Sequence, residues 1–289
     1  MSEGLPEAAI RDAYRAACLA ELDALKVGNV HAYADGHRMA VADFAASAEA
    51  SAPGLARAGT GVGERVRAGM SATWDRVGQN TNLGILLLCA PLAAAAERSG
   101  PLRGNLDAVL DGLDAGDAEA AFDAIRRANP GGLGRAARHD VERSGASERP
   151  TLREAMAEAA PRDRIARAYV TGFEDVSAIG LPALAAARAR GLRAPWTTTA
   201  VHLAYLTGIP DTHIARKYGA DRAEAVRAEA AAALGAIDLG TRPVALLLAH
   251  DARLKAAGLN PGTSADFTVA TLFLDVLLAG RGAGIDGRD

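Results

Sequence analysis

The longest apolar run in the chain is Ile85-Leu-Leu-Leu-Cys-Ala-Pro-Leu-Ala-Ala-Ala-Ala96. A bilayer span takes about 20 residues, and this run is shorter and contains Pro91, so it reads as a buried, kinked helix. The polar stretch Gly78-Gln-Asn-Thr-Asn-Leu-Gly84 stands directly before it. Gly78 and Gly84 permit positive φ and close backbone approach. Asn80, Thr81 and Asn82 can each cap a helix or hydrogen-bond a ligand. A helix beginning near Gly84 would aim its free N–H groups at the loop and favour an anion there. Two readings stand: a well-capped turn, or a loop that holds a ligand.

Composition decides the fold class. Aromatic residues are 4% of the chain, alanine fills much of the gap, and β-branched runs are nearly absent. Alanine is the best helix former, so the expectation is an all-α protein, a multi-helix bundle whose polar loops form one central cleft. At 289 residues the chain can bury a core without disulfide or metal staples. A single helical domain is expected over residues 1–279, followed by a disordered tail at 280–289. A net charge of −3 gives no electrostatic case for nucleic acid or an anionic membrane. Cys18 and Cys89 sit in apolar helical contexts and read as buried free thiols of a reducing compartment. The N-terminus has no basic n-region and no apolar h-region, so a cytoplasmic protein is expected.

Apolar spacing predicts helices over 7–26, 39–52, 64–77 and 84–98, then two between 102 and 128, with Asp117 as an N-cap. Asn129-Pro-Gly-Gly132 should stop the last of these, and 133–150 reads as a polar surface loop. Thr151-Leu-Arg-Glu154 is a capping-box pattern. A longer helix is expected from Arg162 to Ile179 with Glu174 and Asp175 inside it, interrupted by Gly180-Leu-Pro182. Further helices are expected at 183–190, 195–206, 221–234, 243–256 and 267–278, and one after a cap at Asp211 or Thr212. Gly59-Thr-Gly-Val-Gly63 is a weak phosphate-loop candidate, since no strand precedes it and no Lys-Ser/Thr follows.

Three clusters carry chemistry. Lys26, His31, Asp35, His37 and Asp43 gather in one short span, where His31 and Asp35 would share a face if that span were helical. Such a set suits a cation or phosphate-and-metal site, or else Asp35 and Asp43 cap helices and the histidines are partly exposed. His213, Arg216 and Lys217 cluster at a helix start, against the dipole rule, either around an anion or as a basic surface turn. Asn260-Pro-Gly-Thr-Ser-Ala-Asp266 repeats the design of the first loop: polar residues, then an apolar helix.

The pattern Lys26-x-Gly28-Asn29-Val-His31, then Asp35, then Met39-x-Val-x-Asp-Phe44, resembles the triphosphoribosyl-dephospho-CoA synthase family, as does Asn80-Thr81 followed by Gly84 and an apolar helix. Asn129-Pro-Gly-Gly-Leu-Gly134, Asp163-x-Ile-Ala166, Gly180-Leu-Pro182, Pro210-Asp-x-x-Ile-Ala-Arg-Lys217 and Asn260-Pro-Gly-Thr-Ser-Ala-Asp266 look like its shorter branch, found in archaea and one-carbon-metabolising bacteria. The resemblance implies an all-α fold and a transferase that joins the ribose 5-triphosphate part of ATP to dephospho-CoA and releases adenine. It implies phosphorylated small-molecule substrates, with ATP as one of them. Characterised members look like Asn-Thr-His-Lys-Gly where this chain has Asn80-Thr81-Asn82-Leu83-Gly84, and Val27 replaces their usual proline. A lysine that would meet phosphate is thereby absent.

On residue chemistry and this resemblance together, Asp35, Glu174 and Asp175 are the carboxylates for a positively charged ribosyl carbon, and His31 is the acid/base candidate. Lys26, Gly28, Asn29, Asn80, Thr81, Asn82, Gly84, His213, Arg216, Lys217, Asn260, Thr263 and Ser264 are the substrate and phosphate candidates, and Asp35 and Asp266 those for Mg²⁺. A homodimer is the expected assembly. The competing readings are a different transferase step in making a methanopterin- or methanofuran-type one-carbon carrier, and a non-catalytic helical nucleotide- or cofactor-binding protein.

Overall fold

The computed structural model describes residues 3–128 and 150–282. Fourteen α-helices and no β-strand occur among them; the only ladder-type pairs are isolated bridges, His31 with Ala34 and Gly36 with Met39. The expected stop at 129–132, most of the 133–150 loop and the tail beyond 282 lie outside the described residues. The chain divides into two compact units, each discontinuous in sequence: residues 1–17, 46–173 and 273–289, and residues 18–45 and 174–272.

The first unit holds most of α1 (Glu7–Asp23) and α2 (Val41–Ala56), then α3 (Val62–Val77), α4 (Leu83–Ala96), α5 (Leu102–Asp111), α6 (Ala115–Ala128), α7 (Leu152–Ala159) and α8 (Arg164–Thr171). α4 is buried all round, as its apolar run predicts. α3 packs on both α4 and α6. Pro91 removes the N–H that would bond the Leu87 carbonyl one turn earlier, and the buried Tyr169 hydroxyl donates to that carbonyl at 2.7 Å. α2 runs through Pro53-Gly54 instead of ending before it. The carbonyl freed by Pro53 belongs to exposed Glu49, and Gly54 lets α2 approach the α3 backbone at Ala68. Asp114, not Asp117, caps α6: its Oδ1 accepts the Asp117 N–H, while Asp117 accepts the Gly63 N–H. The Thr151–Glu154 capping box is present.

The expected long helix at 162–179 is broken. Gly172 and Phe173 both take left-handed φ and end α8. A π-helical turn, Val176–Gly180, follows and leads into α9 (Leu181–Ala189). The second unit adds α10 (Trp196–Gly208), α11 (Thr212–Tyr218), α12 (Ala220–Leu234), α13 (Val244–Ala256) and the first part of α14 (Gly262–Gly280). Its core is aliphatic, with Leu25, Val27, Leu203, Leu206, Ile214, Val226, Leu247 and Leu254 all buried together. α14 has the length and hydropathy to cross a membrane, but 67% of its apolar window is buried, as in a core helix.

Candidate functional site

The second unit concentrates ionisable side chains where apolar ones would be expected. Between α1 and α2 the chain makes tight turns rather than a helix, so His31 and Asp35 do not share a helical face. His31 bonds backbone to backbone with Ala34, and Asp35 is exposed, its Oδ1 accepting the Val41 N–H at the start of α2. Asp43 accepts the Ala40 N–H. Of the two readings of these aspartates, helix capping is the one their hydrogen bonds follow.

What fixes the turns comes from far along the sequence. Asp251, in the middle of α13 and 2% exposed, accepts the Gly28 N–H at 2.8 Å and binds Lys255 Nζ at 3.0 Å. His31 Nε2 lies 3.3 Å from the same carboxylate. Lys255 also donates to the Ala34 carbonyl at 3.1 Å. The His31 Nδ1 accepts the Tyr33 N–H at 3.2 Å, so the imidazole proton belongs on Nε2, which faces Asp251 without hydrogen-bond geometry. Burial works to raise the Asp251 carboxyl, but His31, Lys255 and the Gly28 amide outweigh it and leave it below its ordinary value. Burial pushes the His31 imidazole down, so it is neutral in the fold.

Beside this lies a second buried set. Lys26, with no exposure, pairs with Glu21 and reaches Asn29 Oδ1 at 3.2 Å. Asn29 donates to Asn260 Oδ1 at 2.8 Å, which ties the first turn to the loop before α14. Burial disfavours both charges of the pair, lowering the Lys26 ammonium and raising the Glu21 carboxyl, and Asp266 adds support to the ammonium. His202 Nε2 donates to the Val27 carbonyl at 3.2 Å, and its Nδ1 has no hydrogen-bond partner among the described residues. Burial pushes His202 down to about 3.

The 260–266 loop is tied to α11 by Asp211. This buried carboxylate accepts the His213 and Ile214 N–H groups on one oxygen, and the Ser264 N–H and hydroxyl on the other. Burial raises its carboxyl against those four donors. Thr263 accepts the His213 N–H as well. His213 and Arg216 approach each other at 3.4 Å, and Lys217 is exposed. Glu174 is exposed and Asp175 buried, just before the π-helical turn, and the Asp175 carbonyl accepts from Tyr205.

The Gly78–Gly84 loop belongs to the first unit. Asn80 Oδ1 caps the Leu83 N–H, Thr81 donates to Ser47, and Asn82 donates to Ser51. Gly84 lies inside α4, and the Asn82 Oδ1 is without a partner among the described residues. Of the remaining sequence candidates, the second unit brings together Lys26, Gly28, Asn29, His31, Asn260 and Asp266, and joins Thr263 and Ser264 to His213 through Asp211. Sequence reasoning missed Asp251, Lys255 and Glu21. The i, i+4 spacing of Asp251 and Lys255 was the available signal, but it also fits a solvated helix face.

No group of three or more His, Cys, Asp or Glu side chains among the described residues has the geometry to hold a metal ion. Cys18 and Cys89 are buried free thiols.

Comparison with known proteins adds the following. The family profile described as ATP:dephospho-CoA triphosphoribosyl transferase matches residues 7–284. A 2-(5''-triphosphoribosyl)-3'-dephosphocoenzyme-A synthase of Klebsiella pneumoniae is 34% identical over 107 residues; that alignment covers 36% of this chain and only 38% of the relative. A crystal structure assigned as a triphosphoribosyl-dephospho-CoA synthase from Archaeoglobus fulgidus has a TM-score of 0.64 at 24% identity, covering 79% of this chain and 96% of that one. At that identity the likeness establishes the shared all-α fold.

Proposed function

The chain belongs to the ATP:dephospho-CoA triphosphoribosyl transferase family, and from that premise we propose that it moves the triphosphoribosyl group of ATP to a dephospho-CoA-like acceptor. The bond from ribose C1 to adenine breaks, C1 bonds to an acceptor oxygen, and the proton of that oxygen leaves with adenine. The observation that carries the reading is the family match over nearly the whole chain. The ionisable cluster held by Asp251 and Asp211 in the second unit supports the reading.

Departure of adenine leaves positive charge on the sugar, so carboxylates that solvent can reach suit the role. Asp35 and Glu174 are exposed and Asp175 is not. Arg216, Lys217 and His213 are the side chains for phosphate oxygens. His31 is fully buried, and acid/base work by it requires the 31–34 turn to open. Mg²⁺ finds no preformed cage of side chains among the described residues. It would arrive on the triphosphate, with Asp35 or Asp266 adding one carboxylate each.

The test is direct. Protein mixed with ATP and dephospho-CoA is assayed for free adenine by chromatography. Release that falls at least tenfold in Asp35→Asn, at unchanged Tm, supports the reading; no release at high protein concentration refutes it. A second reading, transfer onto a one-carbon carrier precursor, is favoured by one observation. Asn82 is tied to Ser51 and Leu83 is buried, where characterised relatives resemble His-Lys. Mass spectrometry of small molecules released from the denatured protein separates the two acceptors.

A further inference from the structure

The turn Gly36–Met39 is closed by two backbone hydrogen bonds, 2.9 and 3.3 Å, and both of its central residues, His37 and Arg38, have positive φ, 53° and 64°. Asparagine and glycine are the usual occupants of such a turn. Here the conformation is imposed from outside. His37 Nε2 donates to the Gly28 carbonyl at 2.8 Å, and Gly36 lies so close along the Lys255 stem that an added Cβ would stand 2.8 Å from Lys255 Cε. The fixed turn presents Arg38 to solvent, and Arg38 has no ion-pair partner among the described residues. Lys217 is likewise exposed, with no carboxylate partner among the described residues, and rests 5.8 Å over the Tyr218 ring. Tyr218, the neighbour of Lys217, donates to the Gly258 carbonyl at 3.0 Å, three residues beyond Lys255, whose stem lies against Gly36, so Arg38 and Lys217 flank the same end of α13. Lys255 is neutralised by Asp251; Arg38 and Lys217 are not.

We propose that the His37–Arg38 turn and Lys217 form an anion subsite for the 5′-phosphoanhydride of an adenine nucleotide, with the Arg38 guanidinium as the forked donor. The inference rests on the transferase reading and names which residues meet the phosphates. ATP and dephospho-CoA both carry such a phosphoanhydride, and the experiment tells which one uses the subsite. A planar fork matches two phosphate oxygens at once, a fit that a lysine point charge does not reproduce.

Binding of inorganic pyrophosphate, ATP and dephospho-CoA is measured by calorimetry for the full chain and for Arg38→Gln and Arg38→Lys, with Tm recorded for each. The expected result is a tenfold or greater loss of pyrophosphate affinity and of one nucleotide in Arg38→Gln, partial retention in Arg38→Lys, and unchanged Tm. Loss for ATP assigns the subsite to the donor, and loss for dephospho-CoA to the acceptor. Affinities within twofold of the parent for all three probes overturn the proposal, as does a parent protein that binds none of them. A fall in Tm that tracks the affinity loss in both variants also overturns it, since Arg38 then serves the fold. Arg38-dependent pyrophosphate binding without adenine release would leave the subsite standing and remove the transferase reading. Adenine release with normal binding in Arg38→Gln would do the reverse.

Discussion

Tyr169→Phe isolates one hydroxyl at the centre of the first unit. Pro91 sits inside α4 and lacks the N–H that would satisfy the Leu87 carbonyl, and Tyr169 supplies the missing donor at 2.7 Å from a fully buried position. Phenylalanine keeps the ring and its tilted contact with Phe173 at 6.3 Å, so the variant removes the hydrogen bond with little change in packing. A buried carbonyl left without a donor costs about 1–3 kcal/mol, and about 2 kcal/mol is expected here. Urea denaturation followed by circular dichroism reads it. The specific claim is the coupling to Pro91. In a Pro91→Ala background residue 91 has an N–H one turn from Leu87, so the same Tyr169→Phe change should cost roughly 1 kcal/mol less. Burial also holds the Tyr169 phenol above its ordinary value. A group raised in the fold contributes stability below its unfolded pKa, about 10 for tyrosine. That contribution declines as pH rises beyond this point, and Tyr169→Phe should lack the alkaline decline. A cost below about 0.5 kcal/mol, or an equal cost in both backgrounds, would refute the pairing of Tyr169 with the proline-freed carbonyl.

The second unit offers three more tests. In Gly180→Ala the new methyl carbon would stand 2.1 Å from Thr271 Oγ1 and 2.2 Å from the Tyr205 hydroxyl, so a loss of about 1–3 kcal/mol in thermal or urea unfolding is expected. Lys26→Met leaves Glu21 buried without its partner and should cost about 3–5 kcal/mol, with Glu21→Gln in the same chain recovering part of it. His202 is held near 3 in the fold against about 6.5 in the unfolded chain, so its contribution is present above pH 6.5 and lost as pH falls toward 3. Between pH 6.5 and 5 the parent should lose about 1.7 kcal/mol more than His202→Gln, the slope rising from about half of 1.4 kcal/mol per pH unit at 6.5 to nearly all of it at 5; parallel pH profiles would sink that assignment.

The features legible in the sequence are those whose partners are close in sequence. The all-α class follows from alanine abundance and helical spacing, each of which acts over a few residues. The Thr151–Glu154 box and the Asp211 cap were readable because donor and acceptor stand two or three residues apart. The break after α8 was not, because an isolated Gly172 inside a helical pattern is compatible with either outcome and Phe173 gives no sign of its left-handed φ. Arg65 was invisible as a core residue. It is fully buried because its guanidinium finds Leu55 O, Thr60 O and Glu97 at once, and two of those three partners lie on segments ten or more residues away. Asp251 is the same case on a larger scale, bonded to Gly28 across 223 positions of sequence.

Glycine-rich turns and helix starts suggested that backbone N–H groups would receive an anion, and the hydrogen bonds show those groups already answered. The Gly59 and Gly63 N–H groups meet Glu97 and Asp117, the N-terminal amides of α11 and Ser264 at the start of α14 meet Asp211, Val41 meets Asp35, and Leu83 meets Asn80. Each internal acceptor satisfies donors that would otherwise attract phosphate, and four of the five bring a carboxylate to the spot. On the transferase reading, phosphate recognition therefore falls to side chains rather than to a backbone nest. Among the cations near the 26–39 turns, Lys26 and Lys255 are neutralised by Glu21 and Asp251, whereas Arg38 and Lys217 have no carboxylate partner among the described residues. That inequality makes Arg38 the most informative single position: its charge can be removed without stranding a buried partner, so a lost affinity there reports on the ligand and not on the fold.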